Sequence, residues 1–336
     1  MRFRPLSFLL LPLLLAACAK TNAPLRLDFI GLTTLVSGAR TVSPSDTLAS
    51  RIYAVSFDHQ LRRLHIAVTY APGLSPILYP VPLAGYNPKN NPDAITITYL
   101  DSLIKPIPGS SSRSSPGSQY LFANRFTART TSGTELWQYT ASDDGGNSAT
   151  RAYRLAARKR DSAEVYHSYT LTVHPRPRSK AVADSVRDQA RVFLNLPFGL
   201  LLPKYAVLNN EGTVQPNQQF VDLICTVRGS SLAWEAPVAT AQDSFLLAAK
   251  WPARRATLLR RTSLTVAAFG NATTTDAFTA AFNSGTAFAS PFSTGTLAKT
   301  QVLAFKTVEG KVGLMQILDI VPGTKPLLIC TVRVQK

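Results

Sequence analysis

The sequence predicts a mostly β protein, a two-sheet sandwich followed by a β-rich α+β domain. Three observations carry that expectation. Short runs of alternating apolar and polar residues recur, bounded by Gly, Pro, Ser and Asn. Helical periodicity is confined to two short stretches. Composition also shifts midway, since all 11 tyrosines lie at or before Tyr205.

The strands of the first half can be read in order. In Arg63–Tyr70, Leu64, Ile66, Val68 and Tyr70 share a face opposite Arg63, His65 and Thr69. Ile95, Ile97 and Tyr99 alternate with Thr96 and Thr98. Trp137 and Tyr139 lie opposite Leu136 and Gln138, and Tyr169, Leu171 and Val173 alternate with Thr170 and Thr172. Strands at this spacing argue for two packed sheets. Pro108–Ser118 is a flexible loop between strands. Asp143, Asp144 and Asn147 could suggest calcium, but the glycines between them and the missing downstream acid favour a plain turn.

The run WQYTASDDGGNSAT at Trp137–Thr150 resembles the closing strands of bacterial immunoglobulin-like and PKD-like modules. The resemblance implies an immunoglobulin-like β-sandwich over residues 27–175. Such modules need one last strand after this turn, so the long segment Arg151–Val173 implies an extra hairpin.

Residues 174–180, HPRPRSK, read as a boundary, and 176–189 as a linker or short helix. Val182, Val186, Ala190 and Phe193 fall on one helical face, with Asp184/Arg187 and Asp188/Arg191 at i,i+3. The β-rich α+β domain then spans 190–336. Gln301–Thr307 and Lys311–Ile320 are two strands around Val308-Glu309-Gly310, and LLICTVRVQK is a third. A short helix starts near Thr274 or Thr275 as N-cap, with Phe278 and Phe282 at i,i+4. The run VLAFKTVEGKVGLMQILDI, followed by CTVRVQK, resembles the end of a C-terminal domain recurrent in uncharacterised Bacteroidota lipoproteins. That resemblance implies an envelope location and supplies no reaction.

The N-terminus is read as an address. Arg2 and Arg4 precede an apolar run from Leu6 to Ala17, the plan of a secretory signal over residues 1–17. The run is shorter than the ~20 residues of a membrane-spanning helix. Leu15-Ala16-Ala17-Cys18 resembles a bacterial lipobox, which implies cleavage before Cys18 and lipidation of that residue, with 18–26 as tether. Cys18 would then hold the protein to a membrane, as an outer-membrane lipoprotein of the cell envelope, its facing side open. The alternative is an ordinary signal peptide with an incidental cysteine.

Six residues, LICTVR, occur at both Leu223–Arg228 and Leu328–Arg333, but their surroundings differ, so they are no domain repeat. Strand periodicity turns Cys225 and Cys330 to apolar faces. A Cys225–Cys330 disulfide is open to geometry if the two strands are neighbours; two buried free thiols are the other reading.

Net charge is formally +17, from 36 basic and 19 acidic side chains. The excess is spread through short clusters, Arg158-Lys159-Arg160, Arg176/Arg178/Lys180, and Arg254-Arg255 with Arg260-Arg261, rather than one face, which argues against nucleic acid. Anionic lipid headgroups or acidic glycans are the expected partners; solvated basic faces are the alternative. None of the four histidines has a partner at metal spacing, and no HExxH, CxxC, GxSxG or phosphate-cradling loop occurs. The sequence thus nominates no catalytic residue, metal ligand or cofactor. Trp137, Trp234 and Trp251 read as core before sugar platforms. Thr47, Ser102, Ser162 and Ser185 each follow an Asp and precede an apolar residue, resembling the O-glycosylation sites of the same bacterial group; ordinary exposed hydroxyls are the alternative. The expectation is a non-catalytic, lipid-anchored interaction protein, with a glycan-binding accessory lipoprotein of a nutrient-uptake system as the alternative.

Overall fold

The computed structural model describes residues 23–72, 94–104, 117–157, 164–175, 190–208, 215–242, 248–323 and 325–336. Cys18, Ser162, Ser185 and the 176–189 segment lie outside the described residues. The first half contains β1 (Leu25–Phe29), β2 (Arg40–Val42), β3 (Thr47–Ser56), β4 (Leu61–Pro72), β5 (Ile95–Leu103), β6 (Ser118–Thr127), β7 (Gly133–Asp143), β8 (Ser148–Ala157) and β9 (Tyr166–Val173). The second begins with β10 (Arg191–Asn195), β11 (Leu200–Pro203), α1 (Lys204–Leu208), α2 (Gln215–Phe220), β12 (Leu223–Arg228) and β13 (Ser231–Glu235). It continues with β14 (Leu258–Arg261), α3 (Val266–Asn271), α4 (Thr275–Ser284), β15 (Thr286–Ala287), β16 (Val302–Lys306), β17 (Val312–Val321) and β18 (Leu327–Gln335). The chain is mostly β.

Two sheets build the first half, ordered β1-β3-β6 and β2-β8-β7-β4-β5. All pairs are antiparallel except β2 with β8. The predicted faces are the buried ones: Leu64, Ile66, Val68 and Tyr70 on β4, Ile97 and Tyr99 on β5, Trp137 and Tyr139 on β7. Period-two burial produces the strands because one face meets the opposing sheet and the other meets water. Tyr139 also ties the sheets together, its hydroxyl 2.7 Å from Ser50 Oγ on β3 and accepting from Asn124 Nδ2 on β6. The β7–β8 connection is a turn. Asp143 accepts from the Asn147 N–H at 2.9 Å and from Ser56 Oγ at 2.8 Å.

One expectation needs correction here. Among the described residues no extra hairpin follows β8. β8 itself is the sandwich's closing strand, and β9 crosses to the other half, pairing along its full length with β18. β9, which the sequence groups with residues 27–175, thus shares a sheet with the strands of the second half. The reason is that strand pairing is non-local, whereas the turn signals that located the boundary are local. The segment read as a linker or short helix, 176–189, lies outside the described residues, and Phe193 of its helical face lies on strand β10 (Arg191–Asn195). Val192, Phe193 and Leu194 are all buried, and a strand covered on both faces loses the alternation that would distinguish it from a helix.

The second half has sheets ordered β11-β10-β12-β13 and β15-β14-β16-β17-β18-β9. The six-stranded sheet is covered on both faces. Val302, Ala304, Val312 and Leu314 pack with Phe278 and Phe282 of α4, while Leu303, Phe305, Met315, Ile317 and Cys330 join the main core. α4 starts where its cap predicts, Thr274 Oγ1 accepting from the Ala277 N–H at 3.1 Å. The β16–β17 turn falls on Val308–Gly310, with Gly310 at φ +86° supplying the left-handed residue.

The two LICTVR copies are not neighbouring strands: β12 and β18 belong to different sheets. Cys225 and Cys330 are buried free thiols of one core. Burial pushes the Cys330 thiol up to about 12. Burial also raises Cys225 well above its usual range, the nearby Cys330 adding to it.

Specific contacts weld the halves. Tyr205 Oη donates to Asn124 Oδ1 at 2.8 Å, and Ser45 Oγ donates to Thr170 O of β9, in the second-half sheet, at 2.9 Å. Gly199, at φ +59°, sits so close to Thr130 that a Cβ would lie 1.5 Å from its hydroxyl oxygen. No other residue fits there.

Candidate functional site

The basic clusters of the second half separate once their partners are known. Arg255 is largely buried, donating from Nε to Asp222 Oδ1 at 2.7 Å and from Nη2 to Glu309. Arg260 points one nitrogen at the carbonyls of Phe282 and Asn283, at 3.2 and 3.0 Å, where α4 ends. Arg333 does the same for α3, donating from Nη1 to Phe269, Gly270 and Ala272. Helix ends leave carbonyls without intrahelical donors, and a guanidinium satisfies them while complementing the negative end of the dipole. These arginines are structural.

Arg261 is different. Its side chain leaves the end of β14, is exposed, and lies over the Phe288 ring at 5.3 Å. Among the described residues it has no carboxylate partner. Across from it stands Arg228, at the end of β12, held by Glu235 of β13. Between them opens a cleft of about 490 Å³, lined further by the Phe288–Thr296 loop and Ala239.

That loop is pinned from both sides. Pro291 O accepts from the Leu259 N–H of β14 at 2.8 Å. Phe292 O accepts from Ala236 N–H at 2.8 Å, and the Thr294 and Leu297 N–H groups donate to Trp234 and Leu232 of β13. The loop therefore bridges the edges of the four- and six-stranded sheets and holds the cleft open before any ligand arrives. Glu235 is 1 % exposed and sits behind the lining, its Oε1 accepting from Arg228 and, at 3.2 Å, from Ser293 Oγ. The Thr294 hydroxyl is committed inward, accepting from the Trp234 N–H at 3.0 Å. Ser290 and exposed Thr296 edge the opening. Chemically the cleft is a preformed, open, hydroxyl-edged seat with positive charge facing solvent.

Solved structures similar to the chain include a DUF4466 family protein from Parabacteroides merdae ATCC 43184. It has 11% identity and a TM-score of 0.33, over 94% of this chain and 99% of that one. Spo0M, a sporulation control protein from Bacillus subtilis, is similar at 9% identity and a TM-score of 0.25, over 63% of this chain and 78% of that one. No protein-family model and no curated protein matches the chain.

The residues singled out in the sequence do not converge. Thr47 opens β3 and is exposed, its hydroxyl accepting from Arg191 at 3.4 Å. Ser102 is half-buried on β5 and bonds Leu103 O at 3.4 Å. Trp137, Trp234 and Trp251 are all core. Among the described cluster residues only Arg261 lines the cleft, Arg158–Arg160 and Arg176–Lys180 lying outside the described residues. Arg228, Phe288 and Ser290 had no signal in the sequence, because a cleft wall drawn from β12, β14 and a loop has no fixed spacing.

Proposed function

We propose that the chain is a lipid-anchored outer-membrane protein of the cell envelope with a non-catalytic interaction role, and that its cleft binds an acidic partner. The observation that carries the binding reading is Arg261, which lines a preformed cleft with its guanidinium over the Phe288 ring and has no carboxylate partner among the described residues. The order β1-β3-β6 facing β8-β7-β4-β5 supports an immunoglobulin-like sandwich, in which first, second and fifth strands oppose third, sixth and seventh. The motif Leu15–Cys18 supports the anchor. Two or more acyl chains suffice for stable attachment, each buried CH₂ contributing about 0.8 kcal/mol. A glycan-binding accessory lipoprotein of a nutrient-uptake system is the second reading, favoured by the hydroxyls of Ser290 and Thr296 at the cleft edge.

Replacing Cys18 with alanine is expected to leave an unlipidated, uncleaved precursor. Detergent phase partitioning reads this directly; a variant that still matures and stays membrane-bound would remove Cys18 as the anchor. Binding to acidic polysaccharide is expected to weaken steeply between low and physiological salt, where the Debye length shortens to about 8 Å. Titration at two ionic strengths tests it, and tight binding indifferent to salt defeats the acidic-partner reading.

A further inference from the structure

We propose that the cleft is a subsite for one acidic sugar residue, with its carboxylate on Arg261 and its ring hydroxyls along Ser290 and Thr296. The proposal rests on the reading that the cleft binds anions, and names which anion.

Charge count comes first. Arg228 and Arg261 face the cleft, and Glu235 compensates Arg228 from behind. One positive charge remains, located on Arg261. That suits a singly charged unit better than a polyphosphate, whose further charges would find no partner.

Geometry selects the anion. The Arg261 Cζ lies over the Phe288 ring, 5.3 Å from its centroid, a cation–π contact that keeps the guanidinium at the cleft wall, and no carboxylate among the described residues takes up its N–H donors. A planar carboxylate matches that fork with two parallel hydrogen bonds. A carboxylate alone would fill little of a space of about 490 Å³. The rest of the lining is small or hydroxylated, with Phe288 its only large apolar side chain among the described residues. An acyl chain would find no apolar trough there, whereas a polyhydroxylated ring would find donors and acceptors. The pinned loop holds this arrangement in advance, so ordering costs on binding are low.

Calorimetric titration of the full chain tests the proposal, with four probes: a uronic-acid oligosaccharide, its neutral counterpart, a sulfated oligosaccharide, and vesicles of anionic phospholipid. The uronate oligosaccharide is expected to bind saturably and more tightly than the neutral one. Arg261→Ala should abolish that binding. Arg261→Lys keeps the charge but loses the fork, and should weaken it about tenfold. Arg254→Ala, an exposed arginine outside the lining, should leave it within about twofold. Equal binding of the neutral oligosaccharide, or uronate binding indifferent to Arg261, overturns the proposal. Binding of only the sulfated probe or the vesicles, lost in Arg261→Ala, overturns the acidic-sugar assignment and leaves the anion-binding reading intact. Binding of none of the probes overturns both.

Discussion

Arg255→Ala is expected to destabilise the fold by about 3–5 kcal/mol, the range for breaking a buried ion pair from one side. Asp222 is fully buried, and its remaining bonds are few: Oδ2 accepts from the Leu196 N–H at 2.8 Å, while Oδ1 depends on Arg255. The same guanidinium reaches Gln219 O at 3.1 Å and Glu309, tying α2 to the β16–β17 turn. Burial pushes the Asp222 carboxyl up from 3.8 to about 6, with Arg255 opposing the rise. A carboxyl raised on folding binds more protons in the folded state, so its contribution favours folding below its unfolded value and declines as pH rises from 3.8 to about 6. Losing Arg255 raises it further. The loss should therefore be larger near pH 7.5 than near pH 5, where Asp222 takes up a proton instead of remaining charged. Asp222→Asn added to Arg255→Ala should recover part of the loss, because no charge is then stranded. Urea unfolding at both pH values measures this. A cost below about 1 kcal/mol, or one independent of pH, would mean that water already solvates Asp222.

Trp137→Ala is expected to cost about 3–5 kcal/mol at the centre of the sandwich, as large-to-small core changes do. The ring is fully buried, its centroid 4.2 Å from that of Phe126 and 4.7 Å from that of Tyr99. Its Nε1–H donates to Glu135 Oε2 at 2.7 Å. Glu135 is itself buried, and burial raises its carboxyl above the usual range, against the lowering effect of the Trp137 and Arg129 hydrogen bonds. Trp137→Phe keeps most of the packing and removes only that donor, so it should cost about 1–3 kcal/mol, the penalty for an unsatisfied buried acceptor. Denaturant midpoints of the two variants separate cavity from hydrogen bond. If alanine costs no more than phenylalanine, the ring's packing is not what holds the two sheets.

What was legible in the sequence was local. Alternation on β4, β5 and β7 named the buried faces, the pair Thr274 and Thr275 named a helix start, and Val308–Gly310 named a turn. Each depends on neighbours within a few positions. What was not legible depended on distant partners. β9 looks like any half-buried strand until β18 lies beside it, and β10 hides its period by being buried on both faces. Nothing in Arg254-Arg255 and Arg260-Arg261 reveals that two of these four arginines serve carboxylates and helix carbonyls while Arg261 faces a cleft. That sorting is decided by where the chain returns, and so was the cleft itself.

The pairing of β9 with β18 sets a timetable. Thr170 and Thr331, hydrogen-bonded across the two strands, are 161 positions apart. A ribosome at about 5–20 residues per second makes β9 many seconds before its mate. Through that interval the completed sandwich trails a strand whose hydrogen-bonding edge is vacant, and β17 later waits beside the same gap. Unpaired edges are templates for the wrong partner. A chain halted before Leu327 would carry both, so β18 closes the two edges that β9 and β17 leave open, and a helper that shields β9 would matter most during that wait.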